Sequence, residues 1–450
     1  MKHKIYIFPV TFEQRSILQS CENDEYNTAN ILSYNWSLKG TLDISALEKS
    51  FKTIIQRHEI LRTKFVYNKD QDDFNQHVFE QLEFNLEVIK MNNLNKLENK
   101  MTEYSNTPFN LQEETFRIGL FQVSSNLHVL SLNLHHVICD GWSLGVLKKE
   151  LEKYYNEFIF GNNFKVESLP IQYADYTIWE KSLMQSKEIS SQLKFWGNRL
   201  DEISNCRIFN NKVHSLESSS VSFNLHGDEL QNIRDICTNN GTTLYMTLLA
   251  ALKLTINYLY KKEDIVIGSP VARRNIKELE NVIGLFRNLV LIRTHIDMKQ
   301  KLNEFLSSIR KNYFESLRNQ DVSYGCIKRY LKQEKIICNN EDKELFEIAL
   351  AVQNAHSPMD FLNLKNIEAE LITNNDENNI KSKFHIVFNI TEYENNIICD
   401  VIYNKEIMEY STSQEIINIF RLLLKNIGNL ENYTLNQVTD FINTNKYQLI

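Results

Sequence analysis

Glycine and proline are scarce, 12 and 5 in 450 residues. That excludes a beaded chain with flexible linkers, a collagen-like repeat and most low-complexity architectures. Cysteine is sparse as well. Its seven positions, Cys21, Cys139, Cys206, Cys237, Cys326, Cys338 and Cys399, are odd in number and scattered, with no CxxC pair. Reduced thiols are expected, not a disulfide frame or a zinc site. Positive charge is not in excess: 50 Lys+Arg stand against 57 Asp+Glu, a net charge of -7. Neither nucleic acid nor an anionic membrane is therefore expected as a partner. A long apolar run is missing too. The most hydrophobic stretch, 243–259, carries Lys253, Asn257 and several threonines and falls short of the ~20 apolar positions of a membrane span, so it reads as a buried helix. The opening MKHKIYIFPV lacks the apolar core and cleavage site of a signal peptide, which points to the cytoplasm.

What is present is ordinary globular composition, with 42% hydrophobic, 11% aromatic and 24% charged residues. At ~100–200 residues per domain the length suits two or three domains, and no repeat of 20–50 residues is visible. Polar stretches at 68–76, 92–106, 209–220, 338–343 and 373–383 read as surface loops, and 181–192 as a lobe boundary. Helix and strand patterns alternate. Leu47, Phe51 and Ile54 share a helical face in 43–55, with Ser45 and Glu48 at capping-box spacing. Residues 128–134 alternate as a strand, Leu130, Leu132 and Leu134 to one side, Ser131 and Asn133 to the other. A helix follows from 141, with Leu144, Leu147, Leu151 and Tyr154 at its spacing. The run 264–267 is a short strand, and the whole is an α+β fold with a sheet in each half.

The densest chemical signal is HHVICDGWS, 135–143, at a strand end just ahead of a helix. Free N–H groups and the helix dipole at such a place favour developing negative charge. Two readings of its spacing stand: a base with an acidic anchor in one turn, or two packed histidines and a helix-capping Asp140. Residues 141–145, GWSLG, also fit the GxSxG nucleophile elbow. The elbow needs its serine at the strand-to-helix turn, however, and Val137–Gly141 intervene, so Ser143 is expected to cap the helix or line a substrate passage.

HHxxxDG resembles the signature of the condensation domains of nonribosomal peptide synthetases, acyltransferases shaped like chloramphenicol acetyltransferase. Other segments fall in that family's order: RHEILRTKF at 57–65, IQYADYTIWE at 171–180, DIVIGSPVARRN at 264–275, VIGLFRNLVLIRT at 282–294, NQDVSY at 319–324 and LFEIALAVQN at 345–354. The match spans roughly 5–440. Departures exist. TFEQRSIL (11–18) keeps Gln14 but not the family's alanine, arginine and tryptophan; Arg273 stands where glycine is common, Arg287 where valine is, and His385 where aspartate often follows Phe384.

The resemblance implies a mixed α/β sandwich of two chloramphenicol acetyltransferase-like lobes in a V, 1–180 carrying HHxxxDG and 181–450, with the active site in the tunnel between them. It implies peptide-bond formation: an acyl or peptidyl group passes from a donor carrier-protein thioester to the α-amine of an acceptor aminoacyl carrier, as in antibiotic and other secondary-metabolite synthesis. His136 is the implied catalytic position, as a base or as the group that orients the amine, with His135 packed beside it and the Gly141 N–H toward the oxyanion. Asp140 is implied as structural, paired with Arg62, and Trp142, Ser143, Arg274 and Asn288 as substrate-channel residues. The remaining nine histidines show no ligand spacing and no metal is expected. No cofactor of its own is implied, only phosphopantetheine on the donor and acceptor peptidyl carrier proteins, which with an adjacent adenylation domain are the expected partners of a monomer. Alternatives are a free-standing acyltransferase onto a soluble amine or alcohol, and a noncatalytic carrier-binding platform. The ending, LNQVTDFINTNKYQLI, resembles the start of a linker to an adenylation domain, so both an excised piece and a free-standing enzyme stand as readings.

Overall fold

The computed structural model describes residues 4–446, apart from 92–95, 162–163, 210–214, 338–343, 354–358, 360 and 373–379. Cys338, His214, His356 and the loop expected at 338–343 lie outside the described residues. Among the described residues the other six cysteines form no disulfide. The chain forms two compact units. One comprises 1–186, 272–287 and 355–375, and the other 187–271, 288–354 and 376–450. A single cut at 180/181 therefore misplaces two later stretches, which return to the first unit.

The early strands are β1 (Ile5–Pro9), β2 (Ile31–Gly40), β3 (Thr63–Asn68), β4 (Asp73–Phe79), β5 (Glu87–Lys90), β6 (Phe116–Gln122) and β7 (Leu127–His135). The later ones are β8 (Glu217–His226), β9 (Asp264–Ala272), β10 (Arg287–His295), β11 (Ile348–Gln353), β12 (Ile367–Leu371), β13 (Ile380–Lys381), β14 (Ile386–Glu392) and β15 (Asn396–Asn404). They make a small sheet β1-β4-β3, a five-stranded sheet β12-β2-β7-β6-β5, and a seven-stranded sheet β10-β9-β11-β14-β15-β8-β13. With helices between the strands, this is the α+β class expected.

In the first unit β7 is the central strand that feeds the HHxxxDG turn. Leu130, Leu132 and Leu134 are essentially fully buried in the unit's core, each contributing about 1.5–3 kcal/mol. The opposite face is buried as well, because the helix Leu97–Asn106 covers it: Ser33 on β2 reaches Ser105 at 2.8 Å, and Asn133 donates to Ser131 at 3.0 Å. Expecting a loop over 92–106 was thus wrong for its second part, where buried Met101 and Ser105 mark the helix's inner side. The same correction applies at 209–220, whose end enters β8. The helix Ile44–Arg57 forms as its periodicity demands, but its N-cap is Asp43, accepting from the Ala46 N–H at 2.9 Å. Glu48, expected in a capping box with Ser45, instead receives Lys52 one turn on.

The second unit is built on the helix Leu244–Tyr260, buried nearly all round. Its Lys253 is wholly enclosed and donates to the carbonyls of Ile265 on β9 at 2.8 Å and Ile292 on β10 at 2.7 Å. Burial drives its pKa well below the usual lysine value. The enclosed amine thus fastens helix to sheet. Among the described residues no helix is long and apolar enough to cross a membrane.

Candidate active site

The HHVICD turn leaves β7 and is pinned from several sides. Gln14, completely buried, donates from Nε2 to the Val137 carbonyl at 3.0 Å, and the His136 N–H donates to the Asn30 carbonyl at 2.7 Å. Within the turn the Ile138 N–H bonds the His135 carbonyl at 3.0 Å. Asp140 then caps the helix Gly141–Phe160, its Oδ1 accepting from the Ser143 N–H at 2.8 Å.

Hydrogen bonding fixes both ring tautomers. The Val137 N–H points at His135 Nδ1, 3.2 Å away, so that nitrogen is the acceptor and Nε2 carries the proton, facing Cys21 Sγ at 3.5 Å. His136 is the reverse. Its Nδ1 lies 2.7 Å from the Cys139 carbonyl, which can only accept, so Nδ1 is protonated and the lone pair is on Nε2. His135 is fully buried whereas His136 is half-buried. Burial, followed by its neighbour His136, lowers the His135 pKa to about 3. Burial, followed by the Arg287 charge, lowers that of His136 to about 4.

Both rings are thus neutral in the folded protein and titrate near 6.5 once unfolded. The unfolded chain binds more protons below about pH 6.5, so the stability present above that value is lost as pH falls toward the folded pKa values. The expected loss is about 1.4 kcal/mol per pH unit for each ring between about pH 6 and 5. Urea unfolding at pH 7, 6 and 5 measures it, and His135→Gln should remove about half the slope. A stability independent of pH over that range would contradict both assignments.

Asp140 is structural, but its partner is not the one expected. Arg62 instead donates from Nε and Nη2 to the carbonyls of Ile55 and Gln56, at 3.1 and 3.3 Å, and from Nη1 to those of Phe79 and Glu80. It follows the helix Ile44–Arg57 closely enough to satisfy carbonyls that the helix end leaves open, and it is consumed there. The cation on Asp140 is Arg274, with Nη2 at 3.1 Å from Oδ1 and both side chains almost completely buried. Arg274 also donates to the carbonyls of Leu279 and Val282, at 2.5 and 2.6 Å, and lies over the Phe286 ring. It is an internal brace, not a channel residue.

Ser143 is equally occupied. Its hydroxyl accepts from Arg274 Nη2 at 2.8 Å and from the Gly284 N–H at 3.0 Å, and shares its one proton between Asp140 Oδ1 and the Gly284 carbonyl, both at 2.8 Å. With both lone pairs engaged it can be neither nucleophile nor channel lining. The approach of 284 requires glycine, because an added Cβ would fall 2.0 Å from the Tyr173 ring. The second carboxylate oxygen of Asp140 accepts from the Phe286 N–H at 3.0 Å. The returning segment 272–287 is thereby locked onto the HHxxxDG turn.

Trp142, half-buried, donates from Nε1 to the Glu280 carbonyl at 2.8 Å and holds the same segment. Gly141, exposed, opens the helix. Asn288 belongs to the second unit, where its carboxamide donates to the carbonyls of Gln320 and Val322, at 2.7 and 2.8 Å, and accepts from the N–H groups of Leu289 and Tyr324. All four of its hydrogen-bonding positions are taken by backbone, so its carboxamide fastens the backbone at 320–324 and leaves no polar group over for a substrate. Sequence reasoning missed Gly284 and Tyr173 as parts of the brace; the glycine within VIGLF was the available signal. Among the described residues no three His, Cys, Asp or Glu side chains converge as a metal site.

The site thus holds a neutral imidazole with its lone pair on Nε2, ahead of a helix braced by a buried Asp–Arg pair, on a mixed α+β scaffold. A sequence model of the condensation domain matches residues 4–450, and the chain belongs to that family. It is 31% identical over 87% of its length to a linear gramicidin synthase of Brevibacillus parabrevis, covering 8% of that protein. Against the nonribosomal peptide synthetase TES of Alternaria alternata it is 30% identical over 86% of its length, covering 7%. The chain thus spans less than a tenth of either relative. Among solved structures, the X-domain from teicoplanin biosynthesis superposes with a TM-score of 0.83 at 22% identity, over 95% of this chain and 96% of that one. The condensation domain of the monacolin K polyketide synthase MokA gives 0.80 at 16% identity, over 96% and 99%. The fold is the chloramphenicol acetyltransferase-like one of these domains.

Proposed function

We propose that the chain joins two carrier-bound substrates by amide-bond formation, with His136 Nε2 addressing the acceptor amine. The observation that carries this reading is the bond from His136 Nδ1 to the Cys139 carbonyl, which leaves Nε2 with its lone pair on a neutral ring. The acceptor nitrogen attacks the donor thioester carbonyl. A C–N bond forms, the C–S bond breaks, and the proton shed by nitrogen ends on the departing pantetheine thiol. No acyl-enzyme intervenes, and the thioester supplies the driving force. Phosphopantetheine belongs to the carriers. The first turn of a helix leaves N–H groups without internal acceptors, and Gly141 N–H is the donor proposed for the oxyanion.

Energetics decide how His136 works. An α-ammonium with pKa near ~8 would have to give its proton to a base of about 4, uphill by about 5 kcal/mol. The amine is therefore used in its neutral form. His136 first orients it and takes the proton only as C–N bonding makes that proton acidic. Single-turnover transfer between a donor-loaded and an acceptor-loaded carrier tests this, with the amide on the acceptor read by mass. The rate should rise with pH up to about 8 as the amine deprotonates, with no second break near 6.5. A break at 6.5 that disappears in His136→Gln would contradict the proposed order of events. Carrier binding without product would point to the recruiting role instead.

A further inference from the structure

The second unit holds a cavity of about 150 Å³, none of whose lining residues takes part in the transfer described above. Its walls come from the stretch 203–208, from β9 and from 344–347 ahead of β11. Ile203, Ile208, Val266, Leu345 and Phe346 make its sides apolar. Phe346 is held by the rings of Tyr324 and Phe384, with centroids 5.6 and 4.8 Å away, and lies so close to Gly268 that a Cβ there would meet it at 2.3 Å. That wall is preformed. A hollow of this volume with hydrocarbon sides accepts a roughly benzene-sized group.

The same lining carries a carboxylate with one oxygen unserved. Glu347 is only 5% exposed. Its Oε2 accepts from the Ile208 and Phe209 N–H groups, at 2.7 and 3.2 Å, whereas Oε1 is buried and receives no hydrogen bond among the described residues. Arg207 Nη1 stands 3.7 Å from Oε1, which supplies charge but is too long for a hydrogen bond. Glu344, the other acid of the lining, is by contrast served by the Tyr324 hydroxyl at 2.5 Å and by Lys328 at 3.4 Å. A buried acceptor without a donor is costly, and a charged one more so. A single water would serve Oε1 but leave the apolar remainder of the hollow unfilled.

We propose that this cavity binds a small primary ammonium on a branched aliphatic body, the ammonium donating to Glu347 Oε1 and the hydrocarbon packing between Ile203, Val266 and Phe346. The site is independent of the transfer at His136. Charge favours an ammonium over a neutral donor, because the lining sets two carboxylates, Glu344 and Glu347, against one guanidinium, Arg207. A charge-assisted bond is also roughly twice as strong as a neutral one. Exposed Ser204 and half-buried Arg207 and Ile208 bring the 203–208 side to the surface, where a ligand enters. A free amine and the α-ammonium of an aliphatic amino acid share this chemistry.

Calorimetric titration of the full chain at pH 7 compares 3-methylbutylamine, a cation at that pH as lysine is, with the neutral 3-methylbutanol. The wild type should bind the amine about ten- to a hundredfold tighter than the alcohol. Glu347→Gln keeps an oxygen for the two backbone N–H groups but offers the cavity a donor in place of Oε1, and should bring the ratio to about one. Ile208→Phe fills the hollow from its half-buried edge and should weaken amine and alcohol alike by about tenfold or more. Thermal unfolding checks that each variant is folded, and the wild-type ratio decides even where one is not. L-Leucine separates the two sources: affinity at or above that of the amine assigns an amino acid, and lower affinity assigns a simple amine. No binding of the amine, which would leave water as the occupant, overturns the proposal. So does a wild-type ratio near one, or amine binding that Glu347→Gln and Ile208→Phe both leave unchanged.

Discussion

Replacing Arg274 with methionine should cost the first unit about 3–5 kcal/mol of stability. The guanidinium is nearly sealed against the Asp140 carboxylate, 3.1 Å away, and methionine fills its volume without its charge. What remains is an enclosed carboxylate with no cation, and breaking a buried pair from one side costs about this much. The carbonyls of Leu279 and Val282 and the hydroxyl of Ser143 lose a donor as well. Urea unfolding of wild type, Arg274→Met, Asp140→Asn and the double variant measures both loss and coupling. The double variant should lose much less than the two single losses together. Arg62→Ala should destabilise too, through the helix end it closes, but without coupling to Asp140. Coupling of Asp140 to Arg62 and none to Arg274 would overturn the assignment.

The second large effect is on chemistry. His136→Ala removes Nε2 from the amine, and single-turnover amide formation should fall by about 10²- to 10⁴-fold, the range expected for a positioned proton acceptor. The substitution also deletes the bond to the Cys139 carbonyl, so the control is urea unfolding at pH 7, where the loss should stay within about 1–3 kcal/mol. His136→Gln can still offer an oxygen to the amine and should fall between alanine and wild type. A rate within threefold of wild type in a folded His136→Ala protein would remove the ring from the mechanism.

What the sequence made legible was local. The alternation over 128–134 and the leucines at 144, 147 and 151 put His136 at the junction of β7 and the helix Gly141–Phe160, because each pattern depends only on which face meets the core. Asp140 as a helix cap needed nothing beyond its position ahead of that helix. The partner of Asp140 was not legible, since Arg274 lies 134 positions away and its neighbour Arg273 is equally arginine. In the structure Arg273 serves Glu180 instead, at 2.7 Å. Nor does composition mark 272–287 and 355–375 as returning to the first unit, for they are as mixed as their surroundings. The helix Leu97–Asn106 was hidden by its polarity, only Met101 and Ser105 among its described residues being buried.

The most direct trial of the account is one single turnover of the wild-type chain with a donor-loaded and an acceptor-loaded carrier, stopped at intervals and weighed intact. Direct transfer at His136 predicts that the acyl mass moves from one carrier to the other while the mass of this chain never changes. An acyl group found on this chain before it reaches the acceptor would contradict the account.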